Sequence, residues 1–319
     1  MRELAWGIAA TGGIARTVGA VMAAEPGMSV AAVGSRSAAR AAALAAELGA
    51  GRSYGSYAEL CADPAVDAVF VATPHAQHLE VVELAIAHGK AVLCEKPLAA
   101  TLADAERIVS LAREAGVFLM EAMWMRFNPL IQLVAADERF GEIRSVHASF
   151  GFNRPYDPDD RLWSPATGGG ALLDLGVYPF ALAQLLLGDP QDMHVTGSLG
   201  PSGVDQETGA LLTYAGGARA LLDTSLISPM ANRATITGTE MRADIDANFW
   251  APTRVVLTRP GAEPEEHTIP SWIVGYAGEL QEVRARVAEG RTESAIMPLD
   301  DSLAVMRQLE EARRRLGAK

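Results

Sequence analysis

Cysteine is nearly missing. Cys61 and Cys94 are the only two in 319 residues, which excludes a disulfide scaffold and a cysteine zinc site. Positive charge is also scarce, with 27 Lys and Arg against 39 Asp and Glu and a formal net charge of −12. Such a surface gives no general hold on nucleic acid or an anionic membrane, so any bound anion needs a local cluster of positive groups. No uninterrupted apolar run reaches the roughly 18 residues of a membrane span, and no repeat or low-complexity segment breaks the chain. Met1-Arg2-Glu3 leads straight into the apolar Leu4–Ala9, without the charged start and separate apolar core of a signal peptide. A cytoplasmic protein is expected.

Length and composition allow two domains, each with a real core; hydrophobic residues make up 49% and charged residues 21%. Over residues 1–122 short apolar runs alternate with alanine-rich amphipathic stretches. Strands are expected at Leu4–Ala9, Ser29–Gly34, Ala68–Ala72, Ala91–Cys94 and Val117–Met120. Helices are expected at Ile14–Ala24, Ala38–Leu48, Gln77–Ala87 and Leu102–Ala115. The last has Thr101 and Asp104 in capping-box spacing and Gly116 just past its end. Continuous apolar strands separated by helices predict a doubly wound parallel sheet, a dinucleotide-binding (Rossmann) fold.

After Arg126-Phe127-Asn128-Pro129 the pattern changes. A helix near Pro129–Glu138 precedes strand-like runs at Ser145–Phe152, Val195–Leu199, Gly209–Tyr214, Ala218–Thr224, Arg233–Thr237 and Arg254–Thr258. Helices are expected from about Gly170 to Leu187 and at Glu279–Ala288 and Leu299–Leu316. Residues 123–319 therefore read as an α+β domain with a mainly antiparallel open sheet, and the chain as a whole as α/β.

Three stretches carry chemistry. Ala10-Thr11-Gly12-Gly13-Ile14-Ala15 links a strand to a helix, where a pyrophosphate would meet backbone N–H groups. Its first glycine is replaced by Ala10, which weakens the motif and leaves its context intact. The next strand ends in Ser35, Arg36, Ser37 and Arg40 rather than the acidic residue that holds the ribose hydroxyls of NAD. Donors and positive charge there suit a 2′-phosphate, so NADP is expected over NAD.

Ala72-Thr73-Pro74-His75, with His78, follows another buried strand and would border the cofactor. The two histidines form no complete metal-ligand set, and no metal is expected. Glu95-Lys96-Pro97 puts a lysine at a strand's C-terminal end, facing the crevice where ligands bind. In Gly168–Tyr178, Asp174 and Tyr178 are four apart on one helical face, and Pro179 predicts a kink at Tyr178.

Together these residues resemble the Gfo/Idh/MocA oxidoreductases: glucose–fructose oxidoreductase, inositol dehydrogenases and their relatives. The likeness spans nearly the whole chain and is specific at Tyr54-Gly55-Ser56-Tyr57, Glu95-Lys96-Pro97, Met120–Phe127 and Gly169–Tyr178. It is closest to the branch with dimeric dihydrodiol dehydrogenases and NADP-dependent D-xylose dehydrogenases. The resemblance implies NAD(P) in the first domain and hydride transfer to or from a sugar, polyol or cyclic diol. Tyr178 would be the acid/base, assisted by Lys96, where many members carry histidine.

Asp174 would hold a second substrate hydroxyl and orient Lys96. Glu95, Glu121 and Trp163 fall on the cofactor side, and Trp124, Arg126, Phe152 and Arg161 on the substrate side. The resemblance also implies a homodimer or homotetramer paired through the second sheet. Alternatives are a reductase of deoxy-sugar, anhydro-sugar or dicarbonyl substrates, a non-catalytic NADP-binding sensor, and a methyltransferase, which the Ser35-Arg36 pair disfavours.

Overall fold

Runs such as Ala-Val-Phe-Val at 68–71 gain nothing from a half-exposed sheet, because both faces of the strand are apolar. The computed structural model describes residues 3–271 and 275–319 and covers these runs on both sides. Met1 and Arg2, expected to lead into the first strand, lie outside the described residues.

Two compact units emerge, Met1–Trp124 with Tyr276–Leu303, and Met125–Gly275 with Ala304–Lys319. In the first, strands β1 (Leu4–Ala9), β2 (Met28–Gly34), β3 (Arg52–Tyr54), β4 (Ala68–Val71), β5 (Ala91–Glu95) and β6 (Leu119–Ala122) form one sheet. Their order is β3-β2-β1-β4-β5-β6, parallel at every pairing. The order reverses between β1 and β4, the point at which such sheets bind ligands. Helices α1 (Gly13–Ala24), α2 (Ala38–Leu48), α3 (Tyr57–Ala62), α4 (His78–Ala87) and α5 (Leu102–Ala115) connect the strands. Trp6, Ile8, Phe70 and Leu93 are fully buried in the core.

The expected Thr101 cap is present, accepting from the Asp104 N–H at 3.1 Å. The last strand starts two residues later than expected. The N–H of Val117 caps α5 by bonding to Ala112 O, so pairing begins with Leu119 opposite Val92. The segment Tyr276–Leu303, with helix α8 (Ala277–Ala288), belongs to the first unit and not to the expected 123–319 domain. Leu119 N bonds Thr292 O at 3.1 Å, and Gln281 bonds Glu25 at 2.9 Å.

In the second unit α6 (Pro129–Ala136), α7 (Val177–Leu187) and most of α9 (Leu299–Leu316) accompany an eight-stranded sheet. Its strands are β7 (Ile143–Gly151), β8 (Asp192–Leu199), β9 (Asp205–Thr213), β10 (Arg219–Ser225), β11 (Ala234–Gly238), β12 (Arg242–Ile245), β13 (Arg254–Thr258) and β14 (Glu265–Thr268). They run in the order β14-β13-β12-β11-β7-β10-β9-β8. Only β7 and β10 pair in parallel. The α7 helix lies on β7 and β10 and is buried from Val177 to Gln184.

Pro165–Leu187 is long and apolar enough by composition to cross a membrane, but 83% of its apolar 18-residue window is buried inside the protein. The kink expected at Tyr178 lies upstream instead, as a π turn at Leu172–Gly176. Pro179 follows that turn as the third residue of α7.

Candidate active site

The turn after β1 is shaped for an anion. Gly12 caps α1 in extended geometry, and no side chain bonds the helix's first N–H groups. A Cβ at Gly12 or Gly13 would meet no protein atom within 4 Å, so the backbone is open to a phosphate at a positive helix end. Thr11 and Ile14 flank it, both half-buried. Ala10 is held by its N–H to Gly34 O at 3.0 Å with φ at 124°. Alanine thus adopts here the backbone that glycine normally supplies.

At the end of β2, Ser35 is buried and its hydroxyl accepts from Ser37 N at 3.3 Å. Arg36 and Arg40 are exposed, and neither has a carboxylate partner among the described residues. Burial pushes the Tyr57 phenol up, while the nearby Arg36 and Arg40 charges pull it back. Ala72 N bonds Ala9 O at 3.0 Å, and next to it the buried Thr73 hydroxyl has no hydrogen-bond partner among the described residues. An open turn, exposed positive charge at Arg36 and Arg40 and a Thr73 hydroxyl without a partner among the described residues fit a dinucleotide.

His78 lies between two backbone carbonyls. Its Nε2 lies 2.9 Å from Thr73 O and its Nδ1 3.2 Å from Leu98 O. Burial lowers its pKa, against the raising effect of those carbonyls. With a ring nitrogen beside a carbonyl of each, His78 bridges the Thr73-Pro74-His75 loop and the loop after β5. His75 meets it edge-on at 5.7 Å.

Glu121 is likewise a brace, accepting from Leu98 N at 3.0 Å from a position 1% exposed. Between these ties lies Lys96, half-buried, followed by a cis bond to Pro97. The Lys96 N–H is bonded at 3.2 Å to the carboxylate of Glu95.

Behind Glu95 stands a residue that sequence reasoning missed. Glu279, on the first turn of α8, is fully buried with both oxygens lacking hydrogen-bond partners among the described residues. Burial, and then the charge of Glu95, hold its carboxyl well above the usual range. The Tyr276 phenol is raised by burial and by the same two acids. Its ring packs 4.9 Å from that of Trp124.

In the second unit the glycines of 168–170 determine what comes together. A Cβ at Gly169 would strike the carbonyls of Arg161 and Leu162, and Gly170 N bonds Leu162 O at 2.9 Å. This close approach lets Arg161 reach Asp174, with Nη2 to Oδ1 at 3.0 Å. Asp174 and Tyr178 are 8% and 6% exposed.

The Tyr178 ring lies 5.8 Å from Phe150 and 6.1 Å from Trp250. Those two stack at 3.6 Å, and Phe152 lies 6.4 Å from Phe150. Trp250 was not expected at the site; it follows Asn248, whose φ of 65° turns the chain between β12 and β13. Two expected residues are placed otherwise. Trp163 is 1% exposed, its indole N–H bonded to Pro155 O at 3.1 Å, so it is core. Arg126 is also 1% exposed, which removes its head group from any open surface. Among the described residues no group of three or more His, Cys, Asp or Glu side chains could hold a metal ion.

Comparison with known proteins places these features in context. Residues 4–123 match the GFO_IDH_MocA profile, described as an oxidoreductase family with an NAD-binding Rossmann fold. Residues 130–244 match the GFO/IDH/MocA C-terminal domain. The chain is 35% identical to the trans-1,2-dihydrobenzene-1,2-diol dehydrogenase of Mus musculus, across 98% of this chain and 97% of that enzyme. The crystal structure of an aldose-aldose oxidoreductase from Caulobacter crescentus, complexed with glycerol, superposes with a TM-score of 0.89 at 27% identity, covering 99% and 98% of the two chains. KijD10, a 3-ketoreductase from Actinomadura kijaniata in complex with NADP and TDP-benzene, gives 0.85 at 30% identity, covering 98% of each chain.

Proposed function

The chain belongs to the GFO/IDH/MocA oxidoreductase family, and from that premise we propose that it moves a hydride between NADP and a hydroxyl or carbonyl carbon of a sugar, polyol or cyclic diol. The observation carrying the substrate class is the setting of Tyr178, a phenol beside the stacked Phe150 and Trp250 with the Arg161–Asp174 pair nearby. Aromatic faces accept the apolar side of a ring, and a charged pair accepts and donates to its hydroxyls.

When bound, NADP supplies the hydride acceptor, and NADPH the donor. The protein's residues manage the proton. Tyr178 takes it from the substrate hydroxyl in oxidation and returns it in reduction. A free phenol near pKa 10 is a poor base at neutral pH. The role proposed for the Lys96 ammonium is to favour phenolate and to polarise a carbonyl in the reverse direction. Asp174, paired with Arg161, accepts from a second substrate hydroxyl. Arg36 and Arg40 would hold the 2′-phosphate.

The 30% identity to a 3-ketoreductase favours reduction of a keto sugar as the second reading. A panel of aldoses, diols, keto sugars and dicarbonyls, followed at the NADPH absorbance band with NADPH and NADH in parallel, tests both. Turnover of at least one class with a lower KM for NADPH is expected. Cofactor binding without turnover of any class would leave a sensor, and a preference for NADH would remove the Arg36 and Arg40 assignment.

The outward face of the second sheet is proposed to pair with a second copy of this chain. Leu211 and Leu221 lie opposite each other on β9 and β10, 37% and 38% exposed, a poor arrangement for a surface facing water. Leu221→Arg should shift the sedimentation coefficient to that of a smaller species. An unchanged value would place the interface elsewhere.

A further inference from the structure

Asp205 opens β9 and is completely buried. Its Oδ2 accepts from the backbone N–H of Leu172 at 2.7 Å and from the Thr208 hydroxyl at 3.4 Å. Its Oδ1 has no hydrogen-bond partner among the described residues and lies against Gly170, where any Cβ would collide with it. Gly170 has φ at 115°, so geometry and space both demand glycine there.

Leu172 begins the π turn that carries Asp174 and continues into α7 with Tyr178. The first N–H groups of a helix have no acceptor within it. Here a carboxylate from a distant strand supplies one, and a negative charge at that end also suits the helix dipole. Two further backbone ties on this turn are longer: Asp174 N to Gly170 O at 3.3 Å, and the Thr224 hydroxyl to Ala171 O at 3.3 Å.

We propose that Asp205 is a positioning residue, fixing through Leu172 the turn that aims Asp174 and the Tyr178 hydroxyl, without itself touching substrate or cofactor. This rests on the reading of Tyr178 given above. A surface acceptor could cap the same N–H, but only with access to water. A buried charge persists here because the turn must be held at one place. Burial pushes the Asp205 carboxyl up to about 6, opposed by the Leu172 N–H, by the Arg313 charge on α9, by its own backbone N–H and by Thr208. Arg313 is the charged group among these influences; Thr208 on β9 and Gly170 and Leu172 on the turn are neutral. A neutral carboxyl or an amide keeps an oxygen that accepts from the Leu172 N–H, so the anchor needs the acceptor.

Asp205→Ala and Asp205→Asn decide the matter, since only the amide keeps an acceptor in place. Full-length Asp205→Ala should lose roughly 10- to 100-fold in kcat, with NADPH affinity by fluorescence titration unchanged. Asp205→Asn should recover most of the loss, its amide oxygen accepting from the Leu172 N–H. Wild-type kcat in the alanine variant, or an asparagine variant as impaired as the alanine one, would overturn the proposal.

If the alanine variant fails to fold, the asparagine variant decides alone: kcat within a few-fold of wild type supports the proposal, and a loss of about 10-fold or more would overturn it. Hydrogen exchange over residues 170–178 reads the anchor without any substrate: it should quicken in Asp205→Ala and not in Asp205→Asn. Quickened exchange together with a wild-type protein inert to every substrate would condemn the redox reading alone. Unchanged exchange would condemn the anchor.

Discussion

Ala10 holds a backbone angle that alanine avoids. At φ 124° its Cβ crowds the neighbouring backbone, and such a residue costs of the order of 1–3 kcal/mol. Glycine would remove that strain and add some unfolded-state entropy, a penalty of about 0.4–1 kcal/mol. Ala10→Gly should therefore raise Tm by a few degrees, about 2–4 °C per kcal/mol gained, with NADPH affinity retained. A lower Tm would mean the angle is relaxed in solution. The sequence displays the missing glycine, but only the backbone shows that its conformation survives the replacement.

The same contrast applies to other side chains. Arg36 and Arg40 stand exposed after the second strand, as their place in the sequence suggests, and their hold on a 2′-phosphate is the proposal. Trp163 misled because an aromatic near Arg161 resembles a site wall, whereas its N–H is engaged inside the unit. Trp250 carried no signal, since its approach to Tyr178 depends on pairing between strands far apart in the chain.

Among elements, those with an apolar period or a cap could be read closely. Leu102–Ala115 has both, and its bounds match the expectation residue for residue. The edge strand Arg52–Tyr54 has three residues without an apolar run, and Glu265–Thr268 alternates half-buried with exposed. Neither offers periodicity, and both exist because a neighbouring strand offers hydrogen bonds.

The α8 helix conceals more. Its Glu279 reads as an ordinary first-turn acid, favourable at a helix start, yet the helix packs that residue into the core. The folded pKa of Glu279 lies above its ordinary 4.5. From about pH 4.5 upward the unfolded chain loses this proton while the native state keeps it, so stability falls as pH rises until the folded pKa is reached. Glu279→Gln cannot titrate. The decline of Tm between about pH 5 and pH 8 should be shallower in this variant than in the wild type. Identical slopes would show that Glu279 is ionised in the fold or that its charge is compensated.

At the scale of the whole chain, the two-sheet α/β design was legible from the change from buried parallel strands to turn-punctuated ones near residue 126. The return of Tyr276–Leu303 to the first unit was not, since an amphipathic helix does not declare which core it will cover. Lys96 belongs to the first unit and Tyr178 to the second, and the proposed chemistry requires both. The Tyr178 hydroxyl is the atom on which that chemistry depends. Steady-state and binding measurements on Tyr178→Phe, using the best substrate of the panel, test it most directly. A kcat reduced by roughly 10² or more with an unchanged NADPH dissociation constant is the predicted result. Wild-type turnover in the phenylalanine variant would contradict it.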